Sequence, residues 1–197
     1  MSFAKKAQFK GSSILAPLPA VIVTCGDMKK SNALTIAWTG TVNSIPPKTY
    51  ISVRPERYSY DIIKQSGEFV INLVGEDLVK ECDYLGVRSG RNEDKLANLG
   101  LTVSPATQVS VPMLDKSPVT IECKVCDIVP LGSHDMFLAD VVAINVAEEI
   151  IDEKGKICLD KARLIAYSHG EYYSLGKKLG SFGYSVKKPQ RKKRTAK

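Results

Sequence analysis

Two arginines three residues apart, Arg54 and Arg57, stand just ahead of a hydroxyl-rich stretch, Tyr58-Ser59-Tyr60-Asp61. The run that follows, about Ser59 to Ser66, has the composition of a short helix. Ser59 suits its N-cap, Asp61 its positive end, and Gly67 its left-handed C-terminal stop. Helix N-termini leave backbone N–H groups pointing at solvent and bind anions for that reason. Two guanidiniums beside such a terminus add bidentate donors, so a phosphate-bearing ligand is expected there. Upstream, Thr35-Ile36-Ala37-Trp38 offers backbone groups and a flat apolar surface that suit a ring system.

The elements that must carry these residues are mostly strands. Ala33 to Trp38 reads as a strand, Ile45-Pro46-Pro47 as a rigid corner in a loop, and Thr49 to Arg54 as a second strand. Ala20 to Cys25 and Phe69 to Val74 are continuous apolar, β-branched runs, the pattern of buried strands. Glu76 to Leu85 is predicted helical, with Leu78, Val79, Cys82 and Leu85 near one face and Gly86 ending it. The loop from Gly86 to Asn92 carries two glycines and two arginines. Asn92 is expected to cap a short helix, Glu93 to Leu99, stopped by Gly100. Leu101 to Pro118 reads as extended pieces and turns. Val119 to Ile128 alternates apolar and polar residues like a half-buried strand. Leu131-Gly132-Ser133-His134 is a glycine turn into a long apolar strand, Phe137 to Val146. Residues 156–160 and 163–168 read as short extended pieces around a turn at Asp152 to Lys156.

Several chemistries find no support. There is no GxGxxG, GxxxxGK[ST], HExxH or GxSxG in the right context, so a doubly wound nucleotide fold is poorly supported. Cys123 and Cys126 have CxxC spacing, but residues three apart on a strand face opposite sides, so they read as strand residues rather than a metal or redox pair. Five cysteines at scattered spacings, and a first stretch MSFAKKAQFKGSS without a long apolar run, point to reduced thiols in a cytoplasmic protein. No run approaches the ~20 apolar residues of a membrane span. The net charge of +7 sits entirely in residues 187–197, which hold seven Lys and Arg and no acid; the rest balances at 21 and 21. We therefore expect one domain, 1–186, and a basic, disordered tail, 187–197, with nucleic-acid binding through the tail as the less favoured alternative.

Taken in order, Asn32 to Trp38, Pro46-Pro47, Ser52 to Ser59, Gly67 to Asn72, Cys82…Ser89-Gly90…Asp94-Lys95-Leu96, Leu131 to Val141 and Tyr167 to Gly176 resemble the flavin reductase-like family, over roughly Gly11 to Ser185. The resemblance implies an FMN-binding split β-barrel: mainly β, a Greek-key-like antiparallel barrel with a few short helices. It also implies a homodimer. It places the FMN phosphate near Arg54, Arg57, Tyr58 and Ser59. Thr35, Ile36, Ala37, Trp38, Ser52 and Val53 fall to the ring and ribityl chain, with Ser89, Gly90 and Lys95 further along. His169 is expected at the ring's polar edge or the phosphate. His134 either lines the pocket or hydrogen-bonds its turn and fixes strand register, the second being preferred. Aromatic residues of the Tyr167 to Tyr184 segment cover the ring, pack at a dimer contact or serve plain C-terminal packing.

The chemistry implied is reduction of flavin by NADH or NADPH, with electrons passed to free flavin, ferric complexes or a protein partner. Such chemistry asks the protein for anchoring and orientation rather than a catalytic acid or base. The alternatives are a flavin-carrying electron-transfer protein with no pyridine-nucleotide activity of its own, and a non-enzymatic barrel.

Overall fold

The computed structural model describes residues 3–187. All but one residue of the basic tail, 188–197, lies outside them, and with it the expectation for that segment. The main sheet has seven antiparallel strands in the order β2-β1-β5-β8-β9-β4-β3. These are β1 (Val21–Gly26), β2 (Ser31–Ile36), β3 (Thr39–Ser44), β4 (Pro47–Val53), β5 (Glu68–Leu73), β8 (Val119–Pro130) and β9 (Asp135–Val146). The two outermost strands, β2 and β3, are joined by Ala37 and Trp38 alone. Two residues reach only about 7 Å, so the sheet must curl until its edges nearly meet. Ser52 N donates to Trp38 O at 2.9 Å, extending the β3–β4 ladder up to that connection. The result is a mainly β split barrel with short helices outside it.

Why these strands are buried follows from their faces. On β1, Val21, Val23 and Cys25 point into the barrel with Leu34, Ile51, Phe69, Ile71 and Phe137. Ala20 and Ile22 point outward, under Leu78, Cys82 and Leu85. A strand covered on both sides reads as a continuous apolar run, which is why it stood out in the sequence. The covering helices are α1 (Tyr58–Ser66), α2 (Val79–Val87) and the short α3 (Lys95–Asn98). Small ladders complete the fold: β6 (Val103–Ser104) with β7 (Met113–Leu114), and β10 (Ile165–Ser168) with β11 (Glu171–Ser174).

Several expectations need correction. The loop expected after Trp38 contains β3, which pairs with β4; its Thr-Gly-Thr-Val-Asn-Ser sequence is too polar for an alternation signal because four of its six residues are exposed. Gly86 does not end α2, which opens as a 3-10 turn at Glu76–Leu78 and runs on to Val87. Instead, Gly86 lets the helix lie on β2, since a Cβ there would sit 3.2 Å from Thr35 Cβ. Asp94, not Asn92, caps α3, accepting from Ala97 N at 3.0 Å. Residues 159–162 form a 3-10 turn rather than an extended piece. The CxxC pair does divide between faces: Cys123 is buried and Cys126 exposed.

One polar residue in the sheet is diagnostic of how the 105–112 loop is held. The carboxylate of Glu122 is fully buried. It accepts from Thr107 N and Oγ1, Gln108 N, Val109 N and Asn145 Nδ2 at 2.6–3.2 Å. Burial works to raise its pKa, but these donors outweigh it and hold the carboxyl below the usual glutamate range. Glu122→Ala strands the donors, and we expect about 3 kcal/mol of lost stability in urea unfolding. The Glu122 contribution is full above the ordinary glutamate range and fades as pH falls through the lowered folded value.

Candidate functional site

A trough opens where the barrel seam meets α1 and α2. Its first part is a cavity of about 340 Å³ lined by Thr35 to Trp38, Ser52 to Arg54, Arg57, His134, the C-terminal end of α2 and two tyrosines, Tyr167 and Tyr172. Trp38 forms one wall and is partly exposed there. Its ring lies 4.6 Å from that of His134, tilted by 38°. The ring of His134 lines the cavity, and its Nδ1 lies 3.0 Å from Ser133 Oγ in the turn. Burial first, then the Arg54 and Arg57 charges, push its pKa down, so the ring is neutral at pH 7. Ile36 and Val53 bury their side chains in the barrel; what they offer the cavity is backbone. Thr35 spends its hydroxyl on Cys82 O.

The second part, about 500 Å³, is lined by Arg54, Arg57, Tyr58, Ser59, Arg88, Ser89, Gly90 and Lys95. Leu34, Arg54 and Arg57 border both parts. The N-terminus of α1 faces here without a cap: Arg57 occupies the N-cap position in extended backbone and no side chain bonds the exposed N–H groups. Ser59 is not the cap. It lies inside the first turn, buried, and its Oγ accepts from Asn32 Nδ2 at 2.7 Å. An uncapped terminus keeps its donors for a ligand. Arg57 Nη1 donates to Gly86 O at 3.0 Å, which fixes one arm and leaves the others toward the trough. Arg54 is exposed and paired with Glu56 at 3.2 Å, a contact of small energy at this exposure.

Lys95 stands apart. It is 3 % exposed, and its ammonium donates to Leu85 O at 3.1 Å and Arg88 O at 3.2 Å. Among the described residues no carboxylate pairs with it. Desolvation lowers its pKa to about 8. A buried cation without a counter-ion is costly unless something anionic supplies one.

The flavin reductase like domain family matches residues 15–176. The chain belongs to the flavin reductase-like family. A flavoredoxin of Desulfovibrio vulgaris (Miyazaki F) superposes with a TM-score of 0.86 at 29% identity, over 93% of this chain and 100% of that one. Nitrilotriacetate monooxygenase component B from Bacillus cereus shares the fold at a TM-score of 0.80 and 21% identity, over 91% and 100%. An uncharacterized protein of Aeropyrum pernix is 28% identical over 137 residues, 69% of this chain; the match spans about half, 52%, of that relative.

Of the residues that the resemblance to the flavin reductase-like family singled out, the structure gathers thirteen around one trough. These are Thr35, Ile36, Ala37, Trp38, Ser52, Val53, Arg54 and Arg57 in its first part, and Tyr58, Ser59, Ser89, Gly90 and Lys95 in its second. It does not bring His169 there. His169 and Gly170 form the two-residue turn between β10 and β11, both with positive φ, 51° and 86°. Such a turn orients its residues to solvent, and His169 is exposed. Asp83 and Gly86 were missed as wall residues, and Asn32 as the residue that holds Ser59 behind the wall. Asp83, which accepts from Tyr172 OH at 3.2 Å, gives no sequence signal, because an acid on a helix is usually a solvated face. Asn32 had one: an Asn inside an apolar strand must bond something buried.

Proposed function

We propose that the trough binds FMN non-covalently and that the protein is an NAD(P)H-dependent flavin oxidoreductase. It passes electrons to free flavin, a ferric complex or a protein acceptor. The observation that carries this reading is the buried ammonium of Lys95, which has no counter-ion among the described residues, at the foot of a trough whose other end is walled by the Trp38–His134 stack. A flat ring at one end and a phosphate at the other is what such a site fits. Arg57, Lys95 and the open N-terminus of α1 would hold the phosphate. Trp38 would flank the ring, and the backbone of Thr35 to Ala37 and Ser52 would offer it hydrogen bonds. Bound there, FMN supplies hydride acceptance and electron transfer. The chain's own part is to bind, orient and leave one ring face open. Neutral His134 carries no charge against the ring.

The likeness to a flavoredoxin at 29% identity favours a second reading, an electron carrier with no pyridine-nucleotide activity of its own. One experiment addresses both. Natively purified protein, or protein reconstituted with FMN, is expected to be yellow and to bleach when mixed anaerobically with NADH or NADPH. Retained colour with neither nucleotide able to bleach it selects the carrier, and failure to bind FMN at all overturns both readings. The exposed apolar residues Val42 on β3 and Val142 and Ile144 on β9 are surface that a homodimer would cover.

A further inference from the structure

The five cysteines are unequal. Cys25, Cys82 and Cys123 are buried, and burial keeps their thiols protonated by pushing their pKa up. Cys158 is half-buried, and its Sγ donates to Lys156 O at 3.6 Å. Cys126 is exposed, and a cation stands beside it: Lys48 Nζ donates to its Sγ at 3.5 Å.

Three strands of the main sheet build this cluster. On β8, Val125 faces Ala139 of β9 and Asp127 faces Leu138, so Cys126 is the extra residue of a β-bulge. Val125 and Ile128 both pack on the barrel core although three apart, which leaves Cys126 and Asp127 together on the outside. Bulges re-aim side chains in this way. From β4, Lys48 faces Asp140 of β9 in the ladder, and its ammonium bonds that carboxylate as well as the sulfur. The bond to Asp140 is the main cause that lifts the Lys48 pKa above the ordinary lysine value, so the ammonium stays charged. Asp127 turns its carboxylate back, with Oδ1 accepting from Ile128 N at 2.8 Å. Lys48 lies four residues, about 13 Å, along β4 from Ser52, and outside the trough.

We propose that Cys126 is a thiol–disulfide exchange site for small disulfides, with Lys48 holding its thiolate and Asp140 positioning Lys48. The thiolate is the nucleophile in such exchange, and an adjacent ammonium favours it. The Cys126 proton goes to solvent, and its sulfur attacks one sulfur of the disulfide. A new S–S bond joins half of the small molecule to the protein, the old S–S bond breaks, and the leaving thiolate takes up a proton. Cys126 is oxidised to a mixed disulfide and the released half is reduced to a thiol, so no further oxidant is needed. Cys123, three residues away, is buried on the other face and is out of reach to displace the adduct. The mixed disulfide is therefore the end product.

The test is a timed reaction of the full-length protein with bis(hydroxyethyl) disulfide, an uncharged probe, read for each cysteine by peptide mass. We expect Cys126 to react about tenfold or more faster than Cys158, and the three buried cysteines to stay free. Lys48→Met should slow Cys126 by about tenfold and leave Cys158 within about twofold, while Lys48→Arg, which keeps the charge, retains most of the rate. Two results overturn the site: Cys126 reacting no faster than Cys158 in the wild type, or a Cys126 rate indifferent to Lys48→Met. If Lys48→Met opens the fold, Cys25, Cys82 and Cys123 will react as well, and Lys48→Gln then carries the same expectation. Failure here leaves the flavin reading standing, since the cluster lies outside the trough.

Discussion

Arg57→Glu is expected to weaken FMN binding by about a hundredfold or more, and to leave riboflavin binding within about twofold. The size follows from what the side chain does. One arm of the guanidinium is fixed on Gly86 O at 3.0 Å, so the rest is pre-oriented and little rotamer entropy is lost when a phosphate arrives. Loss of charge-assisted bonds is worth about 1.5–3 kcal/mol, and an acid in the same place adds repulsion against the phosphate. Riboflavin lacks the phosphate and therefore serves as the control within one protein. Arg57 is exposed, so the variant should unfold close to the wild-type temperature. Arg57→Lys, which keeps the charge but loses the fork, should fall between, at about tenfold. Titration followed by flavin fluorescence reads all three. Equal affinity for FMN in wild type and Arg57→Glu would remove the phosphate anchor from this end of the trough.

The arginines and the helix end proposed as that anchor were legible in the sequence because the pieces are local. Arg54, Arg57 and the helix they introduce are within a dozen residues, and a helix end announces itself through composition. The identity of the cap was not. Ser59 has the right chemistry, but Asn32, 27 residues away, claims its hydroxyl at 2.7 Å; only the fold brings the two together. The same holds for His169, whose residue type suits a ligand but whose left-handed backbone, φ 51°, belongs to a two-residue turn. Buried strands such as β1 and β5 were plain because both faces are covered. β3 was hidden because neither its apolar content nor its alternation marks it. Gly86 and Gly90 read as loop or stop signals, and the structure assigns them to close approach: one to Thr35, the other to Asn32 and Tyr58. Such tertiary contacts leave no trace in spacing.

Lys95 yields the prediction with the sharpest sign. Its ammonium is disfavoured first by desolvation, with Arg57 adding to the effect; Cys25 from β1 and Glu93 from the preceding loop act the other way. The result is a folded pKa of about 8, below the ordinary lysine value. A bound phosphate favours the charged form and raises that pKa. FMN affinity should therefore be constant from pH 6.5 to 7.5 and fall as pH rises through about 8, approaching tenfold per pH unit for one linked proton. Lys95→Met should weaken FMN by about a hundredfold at pH 7 and flatten the profile, while riboflavin shows no such fall in either protein. The stability of the free protein carries the opposite sign. Between the lowered folded pKa and the ordinary one, the unfolded chain binds more protons, so the Lys95 contribution to stability rises with pH, by on the order of 3 kcal/mol at most. The buried thiols oppose it: Cys25 and Cys82 are pushed up to about 11 and Cys123 to about 12 by burial. They keep protons that the unfolded chain sheds, which lowers stability over the same range. The lysine's part is consequently read as the difference between wild type and Lys95→Met in urea unfolding at pH 7 and pH 9.5, where the gap in favour of the variant should shrink. A gap that stays constant, together with an FMN affinity indifferent to pH, would mean that the ammonium at position 95 is not what meets the phosphate.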